Sequence, residues 1–120
     1  MDKSDLDNLD NAAIAKRLRV LRNFVAGGAH GSRAAFAARI GIEYKRWNNF
    51  ERGFPIPRDM AIHLVQVIHG LTLDWIYLGR EDGLPVKLQR ELAEAGKGVT
   101  LPSGKGSSGI SKKPITKSRA

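Results

Sequence analysis

The chain of 120 residues contains no cysteine. That excludes a disulfide framework and any thiolate metal site, and it agrees with a reducing compartment. No apolar run is long enough to cross a membrane. The opening segment, MDKSDLDNLDN, is acidic and has no apolar stretch, so it does not predict a signal peptide. The three histidines, His30, His63 and His69, are scattered and lack metal-ligand spacing. Residues 103–108 are rich in glycine, serine and lysine, but they have neither the order of a phosphate loop nor a flanking strand. No nucleophile elbow, paired-carboxylate motif or internal repeat is present. The expectation is a protein that is not an enzyme and needs no cofactor or metal.

Acidic residues are missing after Glu94, whereas Lys97, Lys105, Lys112, Lys113, Lys117 and Arg119 follow it. The formal net charge is +8, and this tail carries six of those charges. Asp2, Asp5, Asp7 and Asp10 against Lys3 make the leader acidic, which leaves residues 11–95 at +5. A basic balance favours phosphate backbones or anionic surfaces as partners without conferring sequence preference. A hydrophobic content of 42% suffices for one small compact domain.

Apolar periodicity and punctuation predict six helices. Ile14, Leu18, Leu21 and Val25 recur at helical spacing in a first helix that Asp10 or Asn11 can cap. Three glycines in residues 26–31 end it. Ser32 is the expected N-cap of a second helix, and Gly41 suits its left-handed ending. A third helix covers residues 43–52 and closes at Gly53. Pro55 and Pro57 impose an extended connection. A fourth helix covers residues 58–69, with Ala61, Leu64, Val65 and Ile68 inward. Thr72 caps a short fifth helix stopped by Gly79. Pro85 opens a sixth, with Leu88 and Leu92 on one side. From Gly96 onward glycine, serine, lysine and proline dominate, and these bury too little to fold. The implied organisation is an acidic leader over 1–10, a helical domain over 11–83, a C-terminal helix over 84–95 and a disordered basic tail over 96–120.

The central segment, SRAAFAARIGIEYKRWNNFERG (residues 32–53), reads as two short helices around Gly41. Phe36, Ala37 and Ile40 share one face of the first. Trp47 and Phe50 face inward on the second, which is otherwise polar. Trp47, Phe50 and Trp75 are expected in the core rather than as base-stacking groups. Two helices around a tight turn, the second polar outside, is the layout that sets a helix into the DNA major groove.

Over residues 14–79 the chain resembles the Cro and phage-repressor type of helix-turn-helix, the XRE family. The resemblance rests on Leu21-Arg22, on Ala37 and Gly41, on Phe50-Glu51-Arg52-Gly53, on Pro57, and on Leu73-Asp74-Trp75-Ile76 with Gly79, in the family's order. It implies an all-α, compact five-helix repressor-like helix-turn-helix domain with a short sixth helix and a disordered basic tail. By that resemblance Glu43, Tyr44, Lys45 and Asn49 are base-reading positions. Lysine can donate to guanine acceptors, and asparagine can pair with adenine through two hydrogen bonds. Arg33, Arg46, Asn48 and Arg52 are the phosphate-contact candidates. Arg46 is also spaced to pair with Glu43. Arg22 and Glu51 are the implied structural ion pair. Three features depart from the family pattern: a longer loop over 26–31, Arg33 where glutamine is common, and Glu43 where serine or threonine usually caps. The resemblance implies a cytoplasmic, nucleoid-associated transcriptional regulator that binds double-stranded DNA as a homodimer. The alternatives are an antitoxin whose tail engages a toxin as protein partner, and a protein-interaction module that reuses the fold.

Overall fold

The computed structural model describes residues 9–99, so residues 1–8 of the expected leader and residues 100–120 of the expected tail over 96–120 lie outside the described residues. Six helices follow one another: α1 Asn11–Ala26, α2 Ser32–Ile40, α3 Tyr44–Glu51, α4 Arg58–Val67, α5 Leu73–Leu78 and α6 Val86–Ala95. No strand occurs among the described residues.

The amphipathic spacing of α1 explains its central position. Ile14, Leu18 and Leu21 are buried at successive turns of one face, and Ala15 and Val20 widen that stripe. The stripe receives α2, α3, α5 and α6. Phe36 of α2 and Trp47 of α3 are both fully buried, with ring centroids 4.6 Å apart and planes tilted by 43°. Phe50 meets the Trp47 ring edge-on at 6.3 Å, a favourable quadrupolar geometry. Leu64 of α4 and Ile76 of α5 close the core from the other side, both with no exposed surface.

The turn between α2 and α3 follows from Gly41. Its φ of +78° is left-handed, where a side chain would be strained. Its N–H reaches the Ala38 carbonyl at 3.3 Å, and the Ile42 N–H reaches the Ala37 carbonyl at 2.9 Å. These two bonds satisfy the Ala37 and Ala38 carbonyls in the last turn of α2, His63 Nε2 lies 2.6 Å from the Ile40 carbonyl, and Ile42 is buried. The chain can therefore reverse into α3 within three residues, Gly41, Ile42 and Glu43.

Helix α5 has six residues, too few to persist alone. Both of its ends are held. The Thr72 hydroxyl accepts from the Trp75 N–H at 3.1 Å. At the other end Arg17 of α1 donates to the carbonyls of Ile76 at 2.8 Å and Tyr77 at 3.0 Å. A cation at the carbonyl end also complements the helix dipole. Burial lowers the Arg17 pKa to about 10, so the guanidinium stays charged at neutral pH.

Helix α6 docks on α1 through Leu88 and Leu92. Asn23 fixes its end by donating to the Ala95 carbonyl at 2.7 Å. Residues 96–99, expected to open the disordered tail, instead turn back against α1: Val99 packs half-buried against the core and its N–H bonds to the Gly96 carbonyl at 3.1 Å.

Several local expectations need correction. Ser32 is the first residue of α2, not its cap: Gly31 occupies that position, and the Ser32 hydroxyl accepts from Arg22 instead. Neither Asp10 nor Asn11 caps α1 through a side-chain bond; Asp10 holds the N-cap position without one. Pro85 precedes α6 rather than entering its first turn. Helix α4 ends at Val67, because Ile68 turns extended, with φ −110° and ψ 105°.

Two substitutions test this packing. Phe36→Ala should cost about 3–5 kcal/mol through the cavity left in the core. Thr72→Ala should cost about 0.5–2 kcal/mol through the lost cap. Urea denaturation followed by circular dichroism measures both, and equal costs would contradict the assignment of Phe36 to the centre of the core.

Candidate nucleic-acid interface

Helix α3 turns two chemically different faces outward and inward. Trp47, Phe50 and Glu51 are buried beneath it. Tyr44, Lys45 and Arg46 are exposed above it, and Asn48 and Asn49 are half-buried along its flank. Glu43 is the exposed N-cap residue and makes no side-chain capping bond. Arg52, at the C-cap, is exposed. Lys45 and Asn49 are four residues apart and therefore share one helical face.

The orientation of this helix is fixed from below by a buried carboxylate. Glu51 has no exposed surface. Its Oε1 accepts from Arg22 Nη2 at 3.0 Å and from Arg33 Nε at 3.2 Å. Its Oε2 accepts from Arg22 Nε at 3.0 Å and from the Trp47 indole at 2.5 Å. Its backbone carbonyl accepts from Arg19 Nε at 3.0 Å. Arg22 thus grips the carboxylate in the two-pronged geometry suited to guanidinium. Arg22 Nη1 also reaches the Ser32 hydroxyl at 3.1 Å. One network therefore joins α1, α2 and α3.

Arginines also line the rim. Arg33 is 41% exposed at its side chain and donates to Asn48 Oδ1 at 3.1 Å as well as to Glu51. Two phosphate-contact candidates, from α2 and α3, are thereby brought together. Arg46 lies over the Phe50 ring and Arg52 over the Phe54 ring, each 5.8 Å from the centroid. Arg46 makes no ion pair with Glu43 among the described residues. Between Tyr44 and the start of α2 opens a cavity of about 400 Å³, with Arg22, His30 and Arg33 on its walls. The longer loop over 26–31 forms one side of it.

Sequence reasoning missed three contributors. Arg19 holds the last turn of α3, Trp47 donates to Glu51, and Arg39 covers the end of α1 by bonding the Val25 carbonyl at 3.0 Å. The Trp47–Glu51 contact had a readable signal, since residues four apart share a helix face and a buried indole needs an acceptor. Arg19 and Arg39 had none, because their acceptors are backbone carbonyls distant in sequence. The Arg19 pKa is lowered, first by burial and then by the charges of Arg33 and Arg22, with Glu51 opposing.

Among the described residues no group of three or more His, Cys, Asp or Glu is placed to hold a metal ion, and no helix is long and apolar enough to cross a membrane. Comparison with family models, curated proteins and solved structures finds no match to this chain.

The network makes a specific prediction about stability. Glu51→Ala leaves Arg22 and Arg33 facing one another without their shared anion and should cost about 3–5 kcal/mol. Arg22→Ala should cost less, because Arg33 still reaches Glu51. The Arg22/Glu51 double variant should cost less than the two single costs added. A chemical-denaturation cycle reads this directly, and strict additivity would show that the pair is energetically uncoupled.

Proposed function

We propose that this protein is a sequence-specific DNA-binding regulator of the repressor-like helix-turn-helix type, with α3 as the helix that enters the major groove. The observation that carries the reading is the outer face of α3. It presents exposed Tyr44 and Lys45, with half-buried Asn49 on the face of Lys45, on a helix whose underside is locked by Glu51, with Arg33, Arg46 and Arg52 along its margins. Base readout needs donors and acceptors held in register, and phosphate contacts supply that register.

In this mechanism Lys45 and Asn49 address base edges. Tyr44 stacks on or touches a thymine methyl or a phosphate. Glu43, at the start of the helix, accepts from a cytosine amino group and disfavours close approach of a phosphate there. Arg33 and Asn48 act as one unit on the backbone, because Arg33 already holds the Asn48 carbonyl oxygen. Arg46 and Arg52 contact phosphates on either side. A single helix of this length addresses few base pairs, so a homodimer on a palindromic site is the assembly that would give useful specificity. Regulation then works by occupancy, with bound protein blocking or recruiting polymerase. The five Lys and Arg residues beyond Val99 add sequence-independent attraction to the same polyanion.

Selection of bound sites from random double-stranded DNA is the decisive experiment, and it should return one preferred, two-fold symmetric sequence. On that site Lys45→Ala and Asn49→Ala should each lose about 1–3 kcal/mol of binding. Asn49→Ala should change affinity for random DNA much less; equal losses on both DNAs would make these residues backbone contacts. A chain ending at Val99 should keep the preferred sequence, bind all DNA more weakly and show a shallower dependence on salt. An unchanged slope would mean that the tail does not touch DNA.

A further inference from the structure

A second cavity, of about 290 Å³, shares Arg22, Gly28 and Arg33 with the first, but Tyr44 does not line it. Four segments of the chain line it. Arg19 and Arg22 come from α1, Arg33 from α2, and Lys97 and Val99 from the turn that follows α6; Gly28 forms its edge. The turn is held there by the bond from Asn23 to the Ala95 carbonyl. Four cations thus face one space. Among the described residues Glu51, buried beneath, pairs with Arg22 and Arg33, and Glu94 pairs with Lys97 at 3.0 Å. Arg19 aside, Arg22, Arg33 and Lys97 exceed these two carboxylates by one charge, and no carboxylate lines the cavity among the described residues.

We propose that this cavity is a binding site for a phosphate group. The donors differ in availability. Arg22 is committed to Glu51 and Ser32, so it contributes its field alone. Arg33 spends Nε on Glu51 and Nη1 on Asn48, which leaves Nη2 with no bond among the described residues. Lys97 and Glu94 are 75% and 72% exposed, so their ion pair is a weak surface contact that an incoming dianion displaces. Arg33 Nη2 and Lys97 Nζ are thus the direct ligands, with Arg19 and Arg22 on the same wall. A guanidinium fork and a mobile ammonium together suit the several acceptor oxygens of a phosphate. The space admits that group with some of its water, given that a water molecule takes about 30 Å³. The phosphate has two sources, the DNA backbone or a free phosphate; the first rests on the function proposed above and the second does not. Arg33 walls both cavities, so a phosphate bound in the second acts on the residue that also borders the reading helix.

The test uses the full chain and its Lys97→Gln variant; the exposure of Lys97 makes the change harmless to the core. Inorganic phosphate is titrated at fixed ionic strength against chloride while the amide NMR signals are followed. Saturable shifts at Gly28, Arg33, Lys97 and Gly98 are expected, and the variant should need about ten times more phosphate for the same shift. In parallel, DNA affinity is measured against salt. A slope lower by about one in the variant identifies the DNA backbone as the source, while saturable phosphate shifts with an unchanged slope identify free phosphate. Absence of saturable shifts together with an unchanged slope overturns the site. Should the wild-type chain select a DNA sequence in that case, the proposed function stands without this cavity. Should it bind phosphate here and no DNA, the site stands and the proposed function falls.

Discussion

The arrangement around α3 depends on one buried carboxylate. Removing an anion from water carries a penalty of several kcal/mol, which only close counter-charges and a full set of hydrogen bonds can offset. Glu51 receives them from Arg22, Arg33 and Trp47. These donors sit on α1, α2 and α3, so the carboxylate is satisfied only when all three helices take their native positions. An apolar residue at this place would pack against neighbours in many orientations with similar energy. A charge that needs directional partners penalises every orientation but one, and here that orientation sets which face of α3 meets solvent.

The surrounding core works in the same direction. The tilted contact of Phe36 with Trp47 and the edge contact of Phe50 fill the space below α3 with rigid rings. Each ring has few rotamers and a preferred geometry, so the helix is held against rotation as well as displacement. The more distant elements stabilise this unit without touching the outer face. Arg17 closes the carbonyl end of α5 from α1, and α6 covers the remaining flank of α1 while carrying Lys97 and Val99 to the side of Arg33. The gathering of basic side chains on this side of the molecule is therefore a product of packing, since they come from residues 19, 22, 33 and 97.

Some features were readable because their causes are local. Thr72 precedes an apolar run at the distance at which a hydroxyl meets an N–H, and it caps α5. Gly41 lies where only a left-handed residue lets two helices meet in a short turn, and its φ is +78°. Ser32 followed the same local logic and was misplaced. Its hydroxyl has two competing uses, and an arginine ten residues away claims it before the backbone of its own helix does.

The sequence by itself determined that the described chain is helical, where most of its helices stop, which residues of α1 and α3 are apolar, and that the charge balance is basic. These properties follow from periodicity, caps and composition, all of which act over a few residues. The tertiary structure alone decided that Arg33 joins Arg22 on Glu51 and also takes Asn48, that Arg19 and Arg17 serve carbonyls of other helices, and that the turn after α6 lies beside α2. A guanidinium on a long, rotatable side chain can satisfy any acceptor within reach. Its choice is fixed only when folding brings one acceptor near, removes water from it and leaves the others behind.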